Sequence, residues 1–258
     1  MTERPVTSGD RERTFEAVPV TDAVAAGDAQ APVDPRSVLA DATVVVPTNR
    51  EHNYTVESLP DWVDREVRTD DGLNVARNRG VEAADGDWIV LVDDDVTFPT
   101  RLTAVLLDGM HERHLVGAED FWPLDYVIGR YMVFHRSLWA AAGGFDESRP
   151  HGGDTDFAVR CVKAGASLCR IPRRLVPHHD PTSGFSTAQH LEWLAYLSRR
   201  HPRVGLPAAA RLGLARLGLL SPRPEYPADW EGRAFRSPDE DHAGDDADGR
   251  VAGDGVTE

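Results

Sequence analysis

Lysine is almost missing from this chain. Lys163 is the only one in 258 residues, and every other one of the 28 basic side chains is arginine. Acids number 43, and the formal net charge is -15. So little basic charge argues against nucleic acid as a partner, because phosphate binding needs clustered Lys and Arg. Cysteine is scarce too. Cys161 and Cys169 are the only two, which excludes a disulfide framework and a four-cysteine zinc site. Long hydrophobic runs are also absent. The best candidate, 204–220, is broken by Arg211 and Arg216, short of the 18 or so apolar residues that span a bilayer. The first 18 residues carry Glu3, Arg4, Asp10, Arg11, Glu12 and Arg13 and no apolar core of a signal peptide. These absences together predict a cytoplasmic protein.

What is present divides the chain in four. Residues 1–40 mix charge, Pro, Ala and Gly without a period and read as a flexible arm. Residues 41–184 alternate strand and helix signals. Residues 185–224 carry Arg199, Arg200, Arg203, Arg211, Arg216 and Arg223 against one acid, Glu192, and read as a basic helical extension. Residues 225–258 hold eleven acids and three bases and read as a disordered acidic tail.

Within 41–184, residues 42–46 (ATVVV) and 88–92 (WIVLV) are short apolar runs of buried-strand type. Residues 74–84, 101–110 and 136–142 read as helices. So does 154–164, with Asp154 as N-cap and Gly165 as C-cap. Residues 166–171 and 175–176 read as closing strands. The alternation predicts an α/β fold with a mostly parallel central sheet and a ligand beyond the carboxyl ends of its strands.

The second apolar strand runs straight into Asp93, Asp94 and Asp95. Three adjacent carboxylates at a strand end repel one another unless a cation neutralises them, and oxygen ligands suit Mg²⁺ or Mn²⁺. Asp-x-Asp spacing alone says little here, since it recurs at 85/87, 154/156, 239/241 and 246/248. Position singles out Asp93 and Asp95, the pair that directly follows a long buried-strand run.

In order, the chain reads ATVVVPTNRE, GLNVARNRGVEAADGDWIVLVDDD, YMVFHRSLWAAAGGFDES, GGDTDFAVRCVKAG and LVPHH. Over about 42–180 this resembles the family 2 glycosyltransferases, nucleotide-sugar-dependent enzymes with the GT-A fold. The resemblance implies a single GT-A-like domain. Pro47 and Thr48 would lie beside the nucleotide, Arg77 would meet the nucleotide or its phosphates, and Asp93 the ribose, with Asp94 on the donor side. Asp95 would bind the metal, completed by His178 or, next best, His179. Gly144, Phe145, Asp146 and Glu147 match the acceptor-side turn. Asp154 matches the catalytic base, with Asp156 as fallback. Gly153 stands where the family has Glu. Residues 48–71 are shorter than the family's first helix and second strand require, so the first βαβ segment is compact. Asp70 or Asp71 is then the remaining acid for reading the base. The aspartate-rich, lysine-poor composition resembles that of haloarchaeal cytosolic proteins.

Each of these residues also has a plain reading. Asp154 caps a helix, Arg77 is a surface cation, GGFDE is a helix stop and turn, and His178 and His179 are surface loop residues. Trp122 and Trp139 pack against the core. The resemblance favours a metal-dependent, inverting transfer of a hexose from a nucleotide-sugar donor to a glycan or a polyprenyl- or dolichyl-phosphate-linked acceptor. Surface-glycoprotein N-glycan assembly is a setting it allows. Two other readings stay open: a catalytically inactive cation-binding or scaffold protein of the same fold, and a sugar nucleotidyltransferase. Against the last, PTNREHN holds no glycine for a phosphate loop. In the basic extension, 187–200 forms an amphipathic helix with Leu191, Trp193, Leu194 and Leu197 on one arc. Residues 207–220 follow as a second, less amphipathic helix. The pair either caps the catalytic sheet or contacts the cytoplasmic face of an anionic membrane.

Overall fold

The computed structural model describes residues 33–149, 152–176, 178–179 and 187–222. The expected acidic tail, and the arm up to residue 32, lie outside the described residues. Among the described residues six strands form one sheet: β1 (Ala42–Pro47), β2 (Asp64–Arg68), β3 (Trp88–Val92), β4 (His114–Glu119), β5 (Val127–His135) and β6 (Ser167–Ile171). Their order is β2-β1-β3-β5-β4-β6. Only β5 runs against its neighbours; β1 pairs in parallel with β2 and β3, and β4 with β6. This is the mixed α/β architecture with a mostly parallel sheet that was expected.

Both faces of the sheet are covered. Along β1, Val44 and Val46 enter one core while Val45 enters the other, as the two-residue strand period requires. Helices α1 (Pro35–Val38), α2 (Tyr54–Ser58) and α4 (Thr100–Asp108) close the first face, through Val38, Val56, Leu102 and Leu106. Helices α3 (Leu73–Ala83), α5 (Arg136–Ala142) and α6 (Gly153–Lys163) close the second, through Val81, Leu138, Phe157 and Cys161. Burial on both faces is why ATVVV and WIVLV are continuously apolar rather than alternating. Gly80 lets α3 lie directly on β1, since a Cβ there would overlap Val45.

The structure departs from the sequence reading in several places. The folded body starts before residue 41: Asp34 caps the single turn of α1 by accepting from Arg36 N–H, and Leu39 is buried in the core. The compact segment after β1 still holds a helix, α2, and a strand, β2. The strand expected at 175–176 is not formed: residues 173–175 make a 3₁₀ turn after Pro172 with Val176 as its cap, and the Arg173 guanidinium lies 4.0 Å over the Phe121 ring. The N-cap of α6 is Gly152, at φ 73°, and Asp154 sits in the first turn. The last two helices are α7 (Thr187–Arg200) and α8 (Pro202–Arg216). Helix α8 opens five residues before the expected start, with Pro202 at its first position, where a missing N–H costs nothing. Leu194 and Leu197 of α7 pack with Ala208 of α8 and Leu124 in a third small core.

Candidate functional site

Because β5 is antiparallel, its first residues lie at the same sheet end as the last residues of β1, β3 and β4. A cleft of about 400 Å³ opens there. Arg77 from α3, Asp93, Asp120, Arg130 from β5, Asp154 and Thr155 from α6, and His178 line it on the polar side. Trp122, Leu124, Ile128, Trp193 and Leu194 line it on the apolar side. Helix α7 is therefore a wall of the cleft, through Gln189, His190 and Trp193. Gly152 makes room for it, since a Cβ there would overlap the Trp193 indole.

The three consecutive aspartates have three different surroundings. Asp93 pairs with Arg77, Nη2 to Oδ1 at 3.2 Å, and its withdrawal from water raises its pKa despite that cation. Asp94 accepts a 2.6 Å hydrogen bond from the Thr48 hydroxyl and lies 3.8 Å from Arg50 Nε. Asp95 Oδ2 is 3.1 Å from His178 Nε2 and 3.8 Å from Arg50 Nη1. Its other oxygen, Oδ1, is buried with no hydrogen-bond partner among the described residues. His178 reaches this place through a bridge to Val96, and His179 donates its backbone N–H to Asp95 O at 2.8 Å. The His179 ring stacks on Tyr54 at 4.3 Å and contacts Thr97, away from the carboxylate. Asp70 is held by Arg68 beside β2, with Nε to Oδ2 at 2.8 Å.

Arg77 is 2 % exposed and lies flat against β5. Gly129 permits this, because a Cβ at that position would overlap the guanidinium. Arg77 also sits 5.5 Å over the Phe145 ring, and its Nε has no hydrogen-bond partner among the described residues. The surface-cation reading of this residue is thus incorrect.

Asp154 accepts from Gly129 N–H at 2.7 Å and from Thr155 N–H at 2.9 Å, which fixes the carboxylate in the cleft. Gly153 before it is not an accident of composition: a Cβ there would overlap Asn74, whose amide donates to the carbonyls of Asp146 and Arg149. Asp156, the fallback base, is not in the cleft. It is fully buried on another side of α6, 2.8 Å from each of Arg160 Nε, Arg200 Nε and His201 Nε2. Burial acts to raise its pKa, but His201 and the two arginines outweigh that and hold it at about 2. His201 Nδ1 is 2.6 Å from Lys163 Nζ. The ammonium can only donate, so His201 presents its N–H to Asp156.

The GGFDE turn also lies behind the cleft rather than in it. Gly144 takes φ 68°, and Phe145 stacks on Phe157 at 4.2 Å. Asp146 accepts from Arg200 at 3.0 Å and from Tyr196 at 3.1 Å, and Glu147 accepts from Asn78 at 2.9 Å. Trp139 donates to Asn78 and is a packing residue, whereas Trp122 lines the cleft. Pro47 is buried at the end of β1.

One cleft residue had no sequence signal. Asp120 follows β4, is 7 % exposed, and accepts from Phe121 N–H at 2.6 Å and from the Thr155 hydroxyl at 2.8 Å. Burial, with Asp154 as the next contribution, pushes its pKa up to about 7. The clue is its place at a strand's carboxyl end, but His114, Gly117 and Glu119 hide the strand pattern of β4.

Residues 44–137 match the sequence model of glycosyl transferase family 2. No curated protein sequence matches the chain. Three solved structures are similar to it. One is a mannosyltransferase from Pyrobaculum calidifontis in complex with GDP-Man and Mn²⁺, at 17% identity over 66% of this chain and 64% of that one, TM-score 0.44. Another is S. aureus TarS 1–349 in complex with UDP-GlcNAc, at 15% identity over 61% and 65%, TM-score 0.42. The third is a Drosophila β1,4-galactosyltransferase 7 mutant with manganese, UDP-Gal and xylobiose, at 16% identity over 58% and 78%, TM-score 0.39. The chain covers less than two thirds of the first two. The matched segment runs from within β1 to the start of α5. It therefore contributes Arg77, Asp93 and Asp120 to the cleft, but not Asp154, His178 or helix α7.

Among the described residues no three His, Cys, Asp or Glu side chains are grouped to hold a metal ion. A divalent cation that takes its remaining ligands from phosphates needs only one or two protein groups. Asp95 and His178 meet that need, and the unpartnered Asp95 Oδ1 is an oxygen that such a cation would satisfy.

Proposed function

We propose that this chain is a divalent-metal-dependent, inverting glycosyltransferase that moves a hexose from a nucleotide-sugar donor to a hydroxyl of a glycan or lipid-linked acceptor. One observation carries the reading: a single cleft has Arg77, Asp93 and His178 on its lining together with a carboxylate, Asp154, that two backbone N–H groups orient. The donor diphosphate would lie toward Arg77 and the Asp95–His178 pair. Mg²⁺ or Mn²⁺ held by that pair would neutralise charge on the departing diphosphate. Asp154 takes the proton of the acceptor hydroxyl as its oxygen attacks C1 from the face opposite the leaving group. The bond to the diphosphate oxygen breaks as the new glycosidic bond forms, so one base and one displacement invert the anomeric centre.

A second reading has an observation in its favour. Arg50 and Arg77 already lie beside all three aspartates, as an inactive scaffold of the same fold would keep them. Calorimetry separates the two. UDP-, GDP- and dTDP-sugars would be titrated into the protein in about 2 M KCl, where screening is strong, with and without Mn²⁺. The expected result is metal-dependent binding of one donor, lost in Asp95→Ala. A folded protein that binds none of them overturns the enzyme reading.

A further inference from the structure

Helix α8 is apolar on two sides, which is unusual for a helix at a protein surface. Val204, Ala208 and Leu212 recur every four residues and pack toward α7 in the third core. The approach is close, for a Cβ at Gly205 would overlap the Ser198 backbone. On the other side Leu206, Ala210, Leu214 and Leu217 recur at three- and four-residue intervals, so they form a second stripe. This stripe faces water. Leu206 is 59 % and Leu214 43 % exposed, as are Leu217 at 74 %, which caps the helix, and Leu219 at 72 %, beyond its end. Two opposed apolar stripes explain why 207–220 reads as poorly amphipathic from sequence: the contributions cancel.

The charges around the stripe are of one sign. Arg199, Arg203 and Arg216 are exposed on the helix pair, while Arg200 and Arg211 are occupied by Asp146 and Asp125. The one acid on the two helices is Glu192. A second copy of this chain docked patch to patch would set arginine against arginine. Elsewhere the chain is strongly acidic. Exposed leucines ringed by arginine complement a surface that is apolar below and anionic above.

We propose that the outer stripe of α8, Leu206, Leu214 and Leu217 with Leu219, seats on an anionic lipid leaflet, with Arg199, Arg203 and Arg216 at the headgroups. The contact does not depend on the enzymatic reading. It does place the helix pair that walls the cleft at the lipid surface, where a lipid-linked acceptor would be presented.

The test is flotation of the full chain with phosphatidylglycerol or phosphatidylcholine vesicles, at a salt concentration where circular dichroism shows it folded. The expected result is at least tenfold more binding to phosphatidylglycerol, and a tenfold or greater loss in the Leu214→Glu, Leu217→Glu, Leu219→Glu triple variant with an unchanged spectrum. Arg203→Glu with Arg216→Glu should abolish the preference between lipids. Binding that the triple variant leaves unchanged, or no binding to either vesicle, overturns the proposal. So does dimerisation by light scattering that the leucine changes abolish while vesicles capture nothing.

Discussion

Asp120 and Asp154 share a cleft and a neighbour, Thr155, but different groups hold them. Two backbone N–H groups hold Asp154, whereas at Asp120 burial outweighs the hydrogen bonds from Thr155 and Phe121 and the charge of Arg173. Its folded-state pKa of about 7 lies above the ordinary carboxylate value, so the folded state holds the extra proton. That contribution to stability is intact below about pH 4 and is lost as pH rises through about 7. Asp120→Asn should therefore match the wild type near pH 3 and exceed it at pH 8, by on the order of 3–4 kcal/mol in urea denaturation. Equal pH dependence in the two proteins would mean that Asp120 ionises normally. At this scale the sequence was partly legible. Asp93 to Asp95 stand out because a fully apolar strand delivers them, and Arg77 because it belongs to a recognisable segment. Asp120 does not, since its partners Thr155 and Asp154 are more than thirty residues away. Asp156 was misplaced for a related reason: two residues along a helix is about 200° around it, so Asp154 and Asp156 cannot face one cleft together.

At the scale of elements, β1, β3 and α3 to α6 were readable because each carries either a continuous apolar run or a helical period. β2 was not. It is an edge strand, DREVR, whose side chains are exposed or half-exposed. β5 hides behind Gly129, Arg130 and His135, residues that serve the cleft and the following helix. The helix pair α7–α8 was read as an extension, but its docking lies in contacts that no local pattern shows. Asp156 is their centre, joining α6 to Arg200 and His201. Its pKa of about 2 means that it stabilises the fold above the ordinary carboxylate range and that this is lost as pH falls toward 2. Asp156→Asn should cost about 1.5–3 kcal/mol at neutral pH, because it takes the charged acceptor from the half-buried Arg160 and the buried His201 N–H. Since α7 walls the cleft, donor affinity should fall as well. A variant as stable as the wild type in denaturant titration would sink this account.

For the whole molecule, charge dominates. A net charge of -15 with one lysine makes the folded state repel itself, and salt shortens the range of that repulsion to about 3 Å at 1 M. The melting temperature followed by circular dichroism should rise by more than 10 °C between 0.05 M and 2 M KCl, about 3–5 kcal/mol or more for a domain of this size. A melting temperature independent of salt would show that the acids are too dispersed to matter. The same scarcity has a practical side. The one lysine side chain rests on His201, at the junction between α6 and the helix pair. Acylating reagents thus have a single ammonium side chain to find, and its reactivity depends on whether that junction is closed. The protein carries a built-in chemical reporter, readable by mass, of the docking on which one wall of its cleft depends.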